Sequence, residues 1–232
     1  MKLSIVIPVF NEEKTISEVL KKVSMVKLPF KIRKEIIVID DGSTDRTSLE
    51  VRKARGVKKI FHEKNVGKGA SVRSGIKNAT GEIIIIQDAD LEYDPNYYPL
   101  LLKPILENQV DIVYGTRLTD YPLKLWGKDK TVLPTHLIGN RFLTWLTNFL
   151  YNSNLTDMET CYKVFKAGCL RGINLNSDGF DFEPEITAKF LKKGYRIFEV
   201  PIRVRPRTYK EGKKINFWDG IVAIWAILKY RF

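Results

Sequence analysis

Two stretches of the chain, Val38-Ile-Asp-Asp-Gly-Ser-Thr-Asp45 and Ile86-Gln-Asp-Ala-Asp-Leu-Glu92, decide its fold. Each belongs to a run of Ile and Val that is typical of a buried strand, and each ends in paired carboxylates. Because parallel strands deliver their carboxyl ends to one edge of a sheet, we expect the two acidic groups to lie together there. Carboxylates collected at such an edge can hold a divalent cation, and the cation can hold a diphosphate.

Apolar runs and helical patterns alternate in the first half of the chain. The predicted strands cover residues 3–7, 35–39, 58–61, 82–87 and 111–114. The first predicted helix carries an apolar face made of Ile16, Val19, Leu20 and Val23, with Asn11 as its N-cap. Two more helices are predicted at about 69–79 and after Pro95. This alternation predicts an α/β fold with a mainly parallel central sheet flanked by helices.

From residue 117 the pattern is less regular. A polar loop is predicted at 121–134, a helix at 137–151 and a strand at 161–165. A further helix at 183–193 would end at Gly194, and an extended strand at 195–204 would carry Pro201 at an edge or a bend.

The last segment, residues 216–232, is apolar and rich in aromatic residues, and it ends with Lys229 and Arg231. At ~1.5 Å per residue it is too short to span a bilayer comfortably. Trp218 and Trp225 could anchor it among lipid headgroups, and the alternative is a helix packed on the domain or on a second subunit.

Composition narrows the choice of partners. The hydrophobic content of 44% excludes a disordered chain, and the formal net charge of +12 suits an anionic partner, with solubility alone as the alternative. No nucleic-acid-binding module is recognisable, so nucleic acid is not expected. Cys161 and Cys169 lack zinc-site spacing and are predicted to be reduced, and the apolar run at 3–7 is too short for a signal peptide, which favours a cytoplasmic protein.

The acidic motifs permit specific roles. Asp88 and Asp90 would point two ways from one strand end, one toward a nucleotide and one toward a metal, with Glu92 completing the metal shell; solvated acids in a turn are the alternative. Asp40 is placed to accept hydrogen bonds from a base or ribose. Gly42 permits a tight turn, while Ser43 or Thr44 could simply cap the next helix.

Two further motifs could bind phosphate. The segment Asn65-Val-Gly-Lys-Gly69 would either cradle a phosphate or shape a nucleotide pocket. The basic stretch at 203–214 is either an anion clamp or a solvated charge run. His62 and His136 are isolated and are predicted to be structural.

Taken together, these residues resemble the inverting family 2 glycosyltransferases with a GT-A fold. The match covers nearly the whole chain and consists of five motifs, at 4–13, 40–45, 65–69, 88–92 and 115–117. Within that family the segments 87–95, 156–165 and 201–215 look most like the dolichyl- or polyprenyl-phosphate hexose synthases. The resemblance implies one GT-A domain over 1–232, with a Rossmann-like nucleotide-sugar-binding half at 1–116, an acceptor half at 117–215 and an amphipathic C-terminal helix at 216–232.

The resemblance also implies roles for individual residues. The nucleotide would be bound by Pro8, Phe10, Glu12, Asp40, Asp41, Lys68 and Asp88. Mg²⁺ or Mn²⁺ would be held by Asp88, Asp90 and Glu92. The catalytic residues would be Asp90, Asp157 and Arg117, with Asp157 orienting the acceptor. The diphosphate and the acceptor phosphate would be bound by Arg117, Arg203 and Lys214.

The implied reaction moves a hexose from GDP-mannose or UDP-glucose to a polyprenyl or dolichyl phosphate, with inversion. A phosphate dianion needs little deprotonation, so a strong general base is not required. The alternatives are a soluble saccharide or protein acceptor, which would need a carboxylate base, and a non-catalytic protein that binds nucleotide-sugars or nucleic acid. Location on the cytoplasmic face of the membrane is expected to be peripheral, because this chain has no counterpart of the C-terminal transmembrane helices of several relatives. Residues 157–163 differ from the Thr-Ser-Gly-Phe-Arg pattern of dolichyl-phosphate mannose synthases, which weakens a choice of mannose over glucose.

Overall fold

A seven-stranded sheet forms the centre of the part of the protein that is described, residues 1–119, 134–208, 212, 214 and 216–232 of a computed structural model. The strands are β1 (Lys2–Val9), β2 (Arg33–Asp40), β3 (Lys58–Phe61), β4 (Ile83–Ile86), β5 (Ile112–Thr116), β6 (Lys163–Lys166) and β7 (Ile197–Pro201). The helices are α1 (Ile16–Met25), α2 (Thr47–Lys53), α3 (Lys68–Lys77), α4 (Tyr98–Leu106), α5 (Pro134–Tyr151), α6 (Phe182–Lys192) and α7 (Phe217–Arg231).

The sheet is mainly parallel, as predicted. Its strand order is β3-β2-β1-β4-β6-β5-β7. Strands β1, β2, β3 and β4 are parallel to their neighbours within this group, and β5 is parallel to β7, whereas β6 runs antiparallel between β4 and β5. Every residue of β4 is buried, in keeping with an apolar strand that helices cover on both faces.

The register brings the two acidic stretches side by side. Val9 is aligned with Asp40, and Val6 with Ile86. The ladder continues past the strand ends, where the Asp41 amide donates to the Val9 carbonyl and the Gln87 amide donates to the Val6 carbonyl, each at 2.9 Å. The chain therefore leaves β1, β2 and β4 at one edge, where we expected the acids to meet.

Two expectations about helix caps are wrong. The N-cap of α1 is Thr15 and not Asn11, whose φ of 50° places it in a turn, and the Asn11 side chain accepts a hydrogen bond from the Thr44 amide at 2.8 Å. The N-cap of α2 is Arg46, and Ser43 accepts instead from the Asn11 amide at 3.0 Å. These short polar side chains bind each other across two loops because β1 and β2 end side by side.

Strand boundaries in the second half also differ. Strand β6 begins two residues later than predicted, and β7 covers only the middle of the predicted extended segment. Pro201 ends β7, which is an edge strand, so its predicted position at an edge is confirmed. The predicted loop at 121–134 lies outside the described residues except for Pro134, which begins α5.

Helices α5 and α7 pack together on one side of the sheet. Leu143 of α5 joins Ala223 and Ile227 of α7 in a small apolar cluster that also includes Leu155 and Met158. The predicted C-terminal helix is thus confirmed, and Asn216 and Asp219 form a reciprocal capping box at its start. Within the described part of the chain, no helix is both long and apolar enough to cross a bilayer.

Candidate active site

A cavity of about 390 Å³ opens at the carboxyl edge of the sheet. Most of the residues selected from the sequence line it, namely Pro8, Phe10, Glu12, Asp41, Lys68, Asp88, Asp90, Glu92, Arg117 and Lys214. Three do not, and they are Asp40, Asp157 and Arg203. The cavity therefore brings together side chains that come from the ends of β1, β2, β4 and β5 and from the basic stretch before α7.

The two acids at the end of β2, Asp40 and Asp41, are held by other groups of the protein. The Asp40 carboxylate is 1% exposed and accepts from the Ser43 amide at 3.1 Å and from the Ser48 hydroxyl. Asp41 accepts from the Gly67 amide at 2.8 Å and contacts His62 Nδ1 at 2.7 Å. The structure thus directs Asp40 away from the cavity, and its predicted contact with a base or ribose stays a prediction that this geometry does not favour.

Asp41 also decides between the two interpretations of the segment at 65–69. The amides of Val66 and Gly67 both donate to the Asp41 carboxylate, so they are not turned toward a phosphate. Gly67 has φ 107° and immediately precedes α3, and a Cβ there would collide with the backbone of Asp178. The segment shapes the pocket, and its lysine, Lys68, faces the cavity.

Lys68 joins two carboxylates on the cavity wall. Its ammonium lies 2.9 Å from Asp88 Oδ1 and 2.8 Å from Glu183 Oε1. Burial opposes the charge on the ammonium, but Asp88 and Glu183 outweigh burial and raise the pKa of Lys68 well above its usual value. Burial likewise opposes the charge on Asp88, and Lys68 holds the pKa of Asp88 below its usual value. Both groups are therefore charged at neutral pH.

Arg207 joins the remaining acids. Its Nη2 donates to Asp90 Oδ2 at 2.9 Å and to Glu12 Oε1 at 3.1 Å, and its Nε lies 3.5 Å from Glu92 Oε1. Lys214 donates to the same Glu12 oxygen at 2.9 Å. The two aspartates of the loop after β4 therefore face different cations, since Asp88 faces Lys68 and Asp90 faces Arg207.

The proximity of these carboxylates changes their ionisation. Burial, together with the charges of Asp88 and Glu92, raises the pKa of Asp90 to about 7, against the opposing effect of Arg207. One guanidinium therefore leaves Asp90 incompletely compensated. A site in this condition favours a further cation of higher charge.

Arg117 and Asp157 form a buried pair beside the cavity. Asp157 is fully buried and accepts from the Arg117 amide at 2.9 Å, from Nε at 2.7 Å and from Nη2 at 2.8 Å. Arg117 lines the cavity and Asp157 does not, so the predicted role of Asp157 in orienting an acceptor stays a prediction that this geometry does not favour. The Asp157 carboxylate fixes the Arg117 guanidinium through two parallel hydrogen bonds. Arg203 is exposed, and the contact recorded for it runs from its backbone amide to the Tyr97 hydroxyl.

Several lining residues were missed at the level of sequence. They include Arg207, Glu159, Glu183, His136, Asn140 and Asp219. Arg207 belonged to the basic stretch already considered as an anion clamp, and its regular spacing with the other arginines gave no reason to select it. The sequence predicts Glu183 as the first residue of a helix and gives no sign that it lines a cavity. His62 is structural, as predicted, because it bridges Asp41 and the Ser74 hydroxyl.

The cavity carries oxygen donors of the kind that Mg²⁺ and Mn²⁺ prefer. In the described part of the chain, however, no three His, Cys, Asp or Glu side chains converge as a ready-made metal site. Asp88, Asp90 and Glu92 face Lys68 and Arg207 instead. The donor chemistry fits a hard cation, provided that the guanidinium of Arg207 gives up its place.

Comparison with known proteins identifies the family. The sequence model of glycosyl transferase family 2 matches residues 4–173, and the chain belongs to that family. The protein is therefore a glycosyltransferase, and its fold is GT-A. The fold is shared with glucosyl-3-phosphoglycerate synthase from Mycobacterium tuberculosis, crystallised with Mn²⁺, UDP and glucosyl-3-phosphoglycerate. That match has a TM-score of 0.74 at 21% identity and covers 99% of this chain and 79% of the other.

Three sequence relatives match most of this chain but differ in how much of their own length the match covers. An uncharacterised protein of Methanocaldococcus jannaschii is 30% identical, over 98% of this chain and 91% of the relative. The dodecaprenyl-phosphate galacturonate synthase of Rhizobium johnstonii is 26% identical over 92% of this chain, and the dolichol-phosphate mannosyltransferase of Pyrococcus furiosus is 29% identical over 99% of it. The matches span 62% and 64% of the lengths of those two enzymes.

Proposed function

We propose that the protein transfers a hexose from a nucleotide-diphosphate sugar to a polyprenyl phosphate, with inversion and with the help of Mg²⁺ or Mn²⁺. In this reaction an oxygen of the acceptor phosphate forms a bond to the anomeric carbon. The bond from that carbon to the donor diphosphate breaks, and the nucleoside diphosphate leaves with the electron pair. Residues 1–116 would bind the donor and residues 117–215 the acceptor.

The proposal rests on one observation, which is that both acidic side chains and several cationic side chains line the same cavity. Asp88 and Asp90 line the cavity, and Arg117, Arg207 and Lys214 line the same space. Donor and acceptor each bring phosphate groups, so such a site must compensate several negative charges at once. Fixed cations serve this purpose without reorganising during the reaction, and Arg117 is fixed by Asp157.

The acids after β4 would hold the metal. Asp88, Asp90 and Glu92 offer hard oxygen ligands, and the raised pKa of Asp90 reflects its burial together with the nearby charges of Asp88 and Glu92. A divalent cation there would neutralise charge on the departing diphosphate. The relative solved with Mn²⁺ and UDP has the same fold, which supports this assignment.

A lipid-linked acceptor is favoured by the outer faces of α5 and α7. Ile138, Phe142, Trp145 and Phe149 form an exposed row on α5, and the three aromatic rings follow one another at centroid distances of 5.9 Å. On α7, Phe217, Trp218, Ile221, Val222 and Trp225 are exposed, with Trp218 at 71% and Trp225 at 65%. Lys229 and Arg231 lie in the last turn of α7. Aromatic rows beside basic residues, on a protein of net charge +12, are suited to an anionic membrane surface.

The same two helices reach the cavity. His136 and Asn140 lie near the start of α5, Asp219 and Gly220 lie in the first turns of α7, and all four line the cavity. A phosphate bound in the cavity could therefore continue into an apolar tail along the exposed faces. This arrangement supports a peripheral position on the membrane.

Vesicle binding tests this part of the proposal. We expect the double variant Trp145→Ala, Trp225→Ala to lose on the order of tenfold or more in partitioning to vesicles that contain anionic lipid, because two interfacial anchors are removed. The matched control is Phe30→Ala, which removes a side chain that is 82% exposed in the turn before β2. Equal partitioning of all three proteins, measured by co-sedimentation, would rule out this face as the membrane contact.

A transfer assay tests the reaction itself. Purified protein with Mn²⁺ and radiolabelled GDP-mannose or UDP-glucose should label a polyprenyl phosphate and leave soluble acceptors unlabelled. Soluble saccharides and 3-phosphoglycerate are the informative alternatives, since the fold is shared with an enzyme named for the latter. If only a soluble acceptor becomes labelled, the protein is still a glycosyltransferase, but its acceptor is that soluble molecule and not a lipid phosphate.

A further inference from the structure

Glu199 lies on β7 and does not line the active-site cavity, yet hydrogen bonds connect it to Arg117. Its carboxylate accepts from the Thr156 amide at 2.7 Å, from the Thr156 hydroxyl at 2.9 Å and from the Asp157 amide at 3.0 Å. These donors belong to the short segment that carries Asp157, the residue that binds the Arg117 guanidinium. Glu199 is therefore one residue removed from a side chain of the cavity wall.

The Glu199 carboxylate restrains the backbone that carries the Asp157 side chain. Its two oxygens each accept from one of two successive amides, Oε2 from Thr156 and Oε1 from Asp157. The Asp157 side chain is fully buried and in turn accepts from the amide, Nε and Nη2 of Arg117. A shift of this backbone would therefore move the Asp157 carboxylate and, with it, the guanidinium.

A chain of hydroxyl groups connects Glu199 to the end of β5 by a second route. The Thr156 hydroxyl donates its one proton to Glu199, so it accepts from the Thr116 hydroxyl at 2.7 Å. The Thr116 oxygen then accepts from the Leu118 amide at 3.3 Å. Because Thr116 and Leu118 flank Arg117 in the sequence, this chain restrains the backbone on both sides of that arginine.

The contacts of Glu199 require two acceptor oxygens. Burial raises the pKa of Glu199, whereas the hydrogen bonds that Thr156 and Asp157 donate oppose that rise and favour the ionised form. A glutamine would turn its NH₂ group toward one of the two backbone amides in either orientation, so one amide would lose its acceptor. The variant Glu199→Gln would therefore displace the segment while it keeps the size of the side chain.

We propose that Glu199 is a positioning residue for sugar transfer and that it holds the Arg117 guanidinium at the cavity wall through Thr156 and Asp157. The inference rests on the proposed function, because it assumes that Arg117 binds a phosphate group in the cavity. A displacement of about 1 Å at such a contact can reduce a rate by about 10²-fold. Glu199 would thus affect transfer from a position outside the cavity.

Glu35 offers a matched control at the other end of the strands. It is partly exposed on a strand, as Glu199 is, and its two oxygens accept from the amide and the hydroxyl of one threonine, Thr80, at 2.8 and 2.7 Å. Glu35 lies near the start of β2, whereas the cavity opens at the carboxyl edge of the sheet. Glu35→Gln should therefore lower the melting temperature as Glu199→Gln does but leave transfer unchanged.

Steady-state kinetics test the inference, with Mn²⁺, UDP-glucose or GDP-mannose as donor and a polyprenyl phosphate as acceptor. We expect Glu199→Gln to reduce kcat/KM by about 10–100-fold, and Glu35→Gln to stay within about twofold of the wild-type protein. In a protein that already carries Arg117→Gln, adding Glu199→Gln should cost no more than about a further twofold, because the group that it positions is gone. An equal loss with and without Arg117, or an equal loss in Glu35→Gln, would overturn the inference.

A second measurement does not depend on the reaction. In ¹⁵N NMR spectra the Nε proton of Arg117 should exchange slowly, because it is bound to the buried Asp157, and Arg117→Gln assigns its signal by removing it. Glu199→Gln should shift this signal and speed its exchange, whereas Glu35→Gln should not. An unchanged signal in Glu199→Gln would overturn the inference. Absence of transfer by the wild-type protein would instead overturn the proposed function.

A second pair of variants serves if Glu199→Gln does not fold. Thr156→Val and Thr80→Val each remove, at an exposed threonine, a hydroxyl that donates to a glutamate, and each keeps the backbone amide. Thr156→Val should reduce kcat/KM by roughly threefold to tenfold, the equivalent of one hydrogen bond, and Thr80→Val should not. Equal kinetics for the two variants would overturn the inference.

Discussion

The acids after β2 and the acids after β4 look alike in sequence, yet the fold uses them differently. Asp40 and Asp41 are held by donors that lie close to them along the sheet edge, including the amides of Ser43 and Gly67. Asp88 and Asp90 are held by the side chains of Lys68 and Arg207, which come from other elements. The first pair ties loops together, and of its two members Asp41 alone lines the cavity, whereas both acids of the second pair line it.

This difference shows that the role of each carboxylate depends more on the group that binds it than on the carboxylate itself. Amides of the backbone cannot leave a carboxylate without unfolding a loop. A lysine or arginine side chain can rotate away when a ligand competes for the carboxylate, since its stem is flexible. We therefore expect substitutions in the first group to affect stability and substitutions in the second to affect transfer.

The largest expected effect is on transfer. Asp90→Ala should reduce the rate of hexose transfer by roughly 10²–10³, as is typical when one charge-stabilising group is lost from an active site. The melting temperature should change little, because Arg207 retains Glu12 and Glu92 as partners. Steady-state kinetics and calorimetric melting of the same preparation check both. Retention of the rate in the presence of Mg²⁺ or Mn²⁺ would remove Asp90 from the site.

Asp40→Ala should show the reverse. The variant leaves the partly buried Ser48 hydroxyl and the Ser43 amide without their acceptor, and we expect the free energy of unfolding to fall by about 2 kcal/mol. For a chain of this length that corresponds to a fall of about 5 °C in melting temperature. Donor affinity of the folded fraction should be unchanged. Weaker donor binding at unchanged stability would restore the predicted role of Asp40 in the nucleotide pocket.

The variant Arg207→Gln tests whether the acids after β4 can bind Mn²⁺ once their arginine partner is removed. Because the guanidinium competes for Asp90 and Glu92, its removal should strengthen Mn²⁺ binding by roughly tenfold in the absence of donor, the effect of deleting one nearby positive charge. Arg205→Gln, an exposed arginine two residues earlier, is the matched control. Titration calorimetry gives both affinities. Weaker Mn²⁺ binding in Arg207→Gln than in Arg205→Gln would show that Arg207 supports the metal.

The smallest effect concerns pH. The pKa of Glu159 in the folded protein is raised to about 8, so its ionisation costs stability progressively as the pH rises from its usual value near 4.5 toward 8, and fully above that. Glu159→Gln does not titrate and should melt above the wild-type protein at pH 9, with the gap closing by pH 5. Glu63→Gln, which removes a charge at an exposed position, should show no such trend. A difference in melting temperature that stays constant between pH 5 and pH 9 would mean that the pKa of Glu159 is not raised in the folded protein.

Much of the fold could be predicted from the sequence because buried parallel strands carry continuous runs of Ile and Val. The four isoleucines of β4 and the apolar face of α1 are clear examples. The cap at Asn11 was missed because its side chain binds Thr44, which is distant in sequence and near only once β1 and β2 pair.

The sequence could predict the positions of those site residues that directly follow a strand. Asp88 and Asp90 follow β4 directly, so the sheet alone places them. Arg207 lies 117 residues from Asp90, and no local pattern records that pairing. The burial of Asp157 beneath Arg117 likewise depends on tertiary packing, which no local sequence pattern shows.

Anomalous diffraction from a crystal soaked with Mn²⁺ and a nucleoside diphosphate tests the use of the β4 acids most directly. We predict a single strong manganese peak beside Asp88 and Asp90, with the Arg207 side chain withdrawn from Asp90 and the diphosphate bound next to the ion. A manganese peak elsewhere in the molecule, with Arg207 still bonded to Asp90, would contradict it.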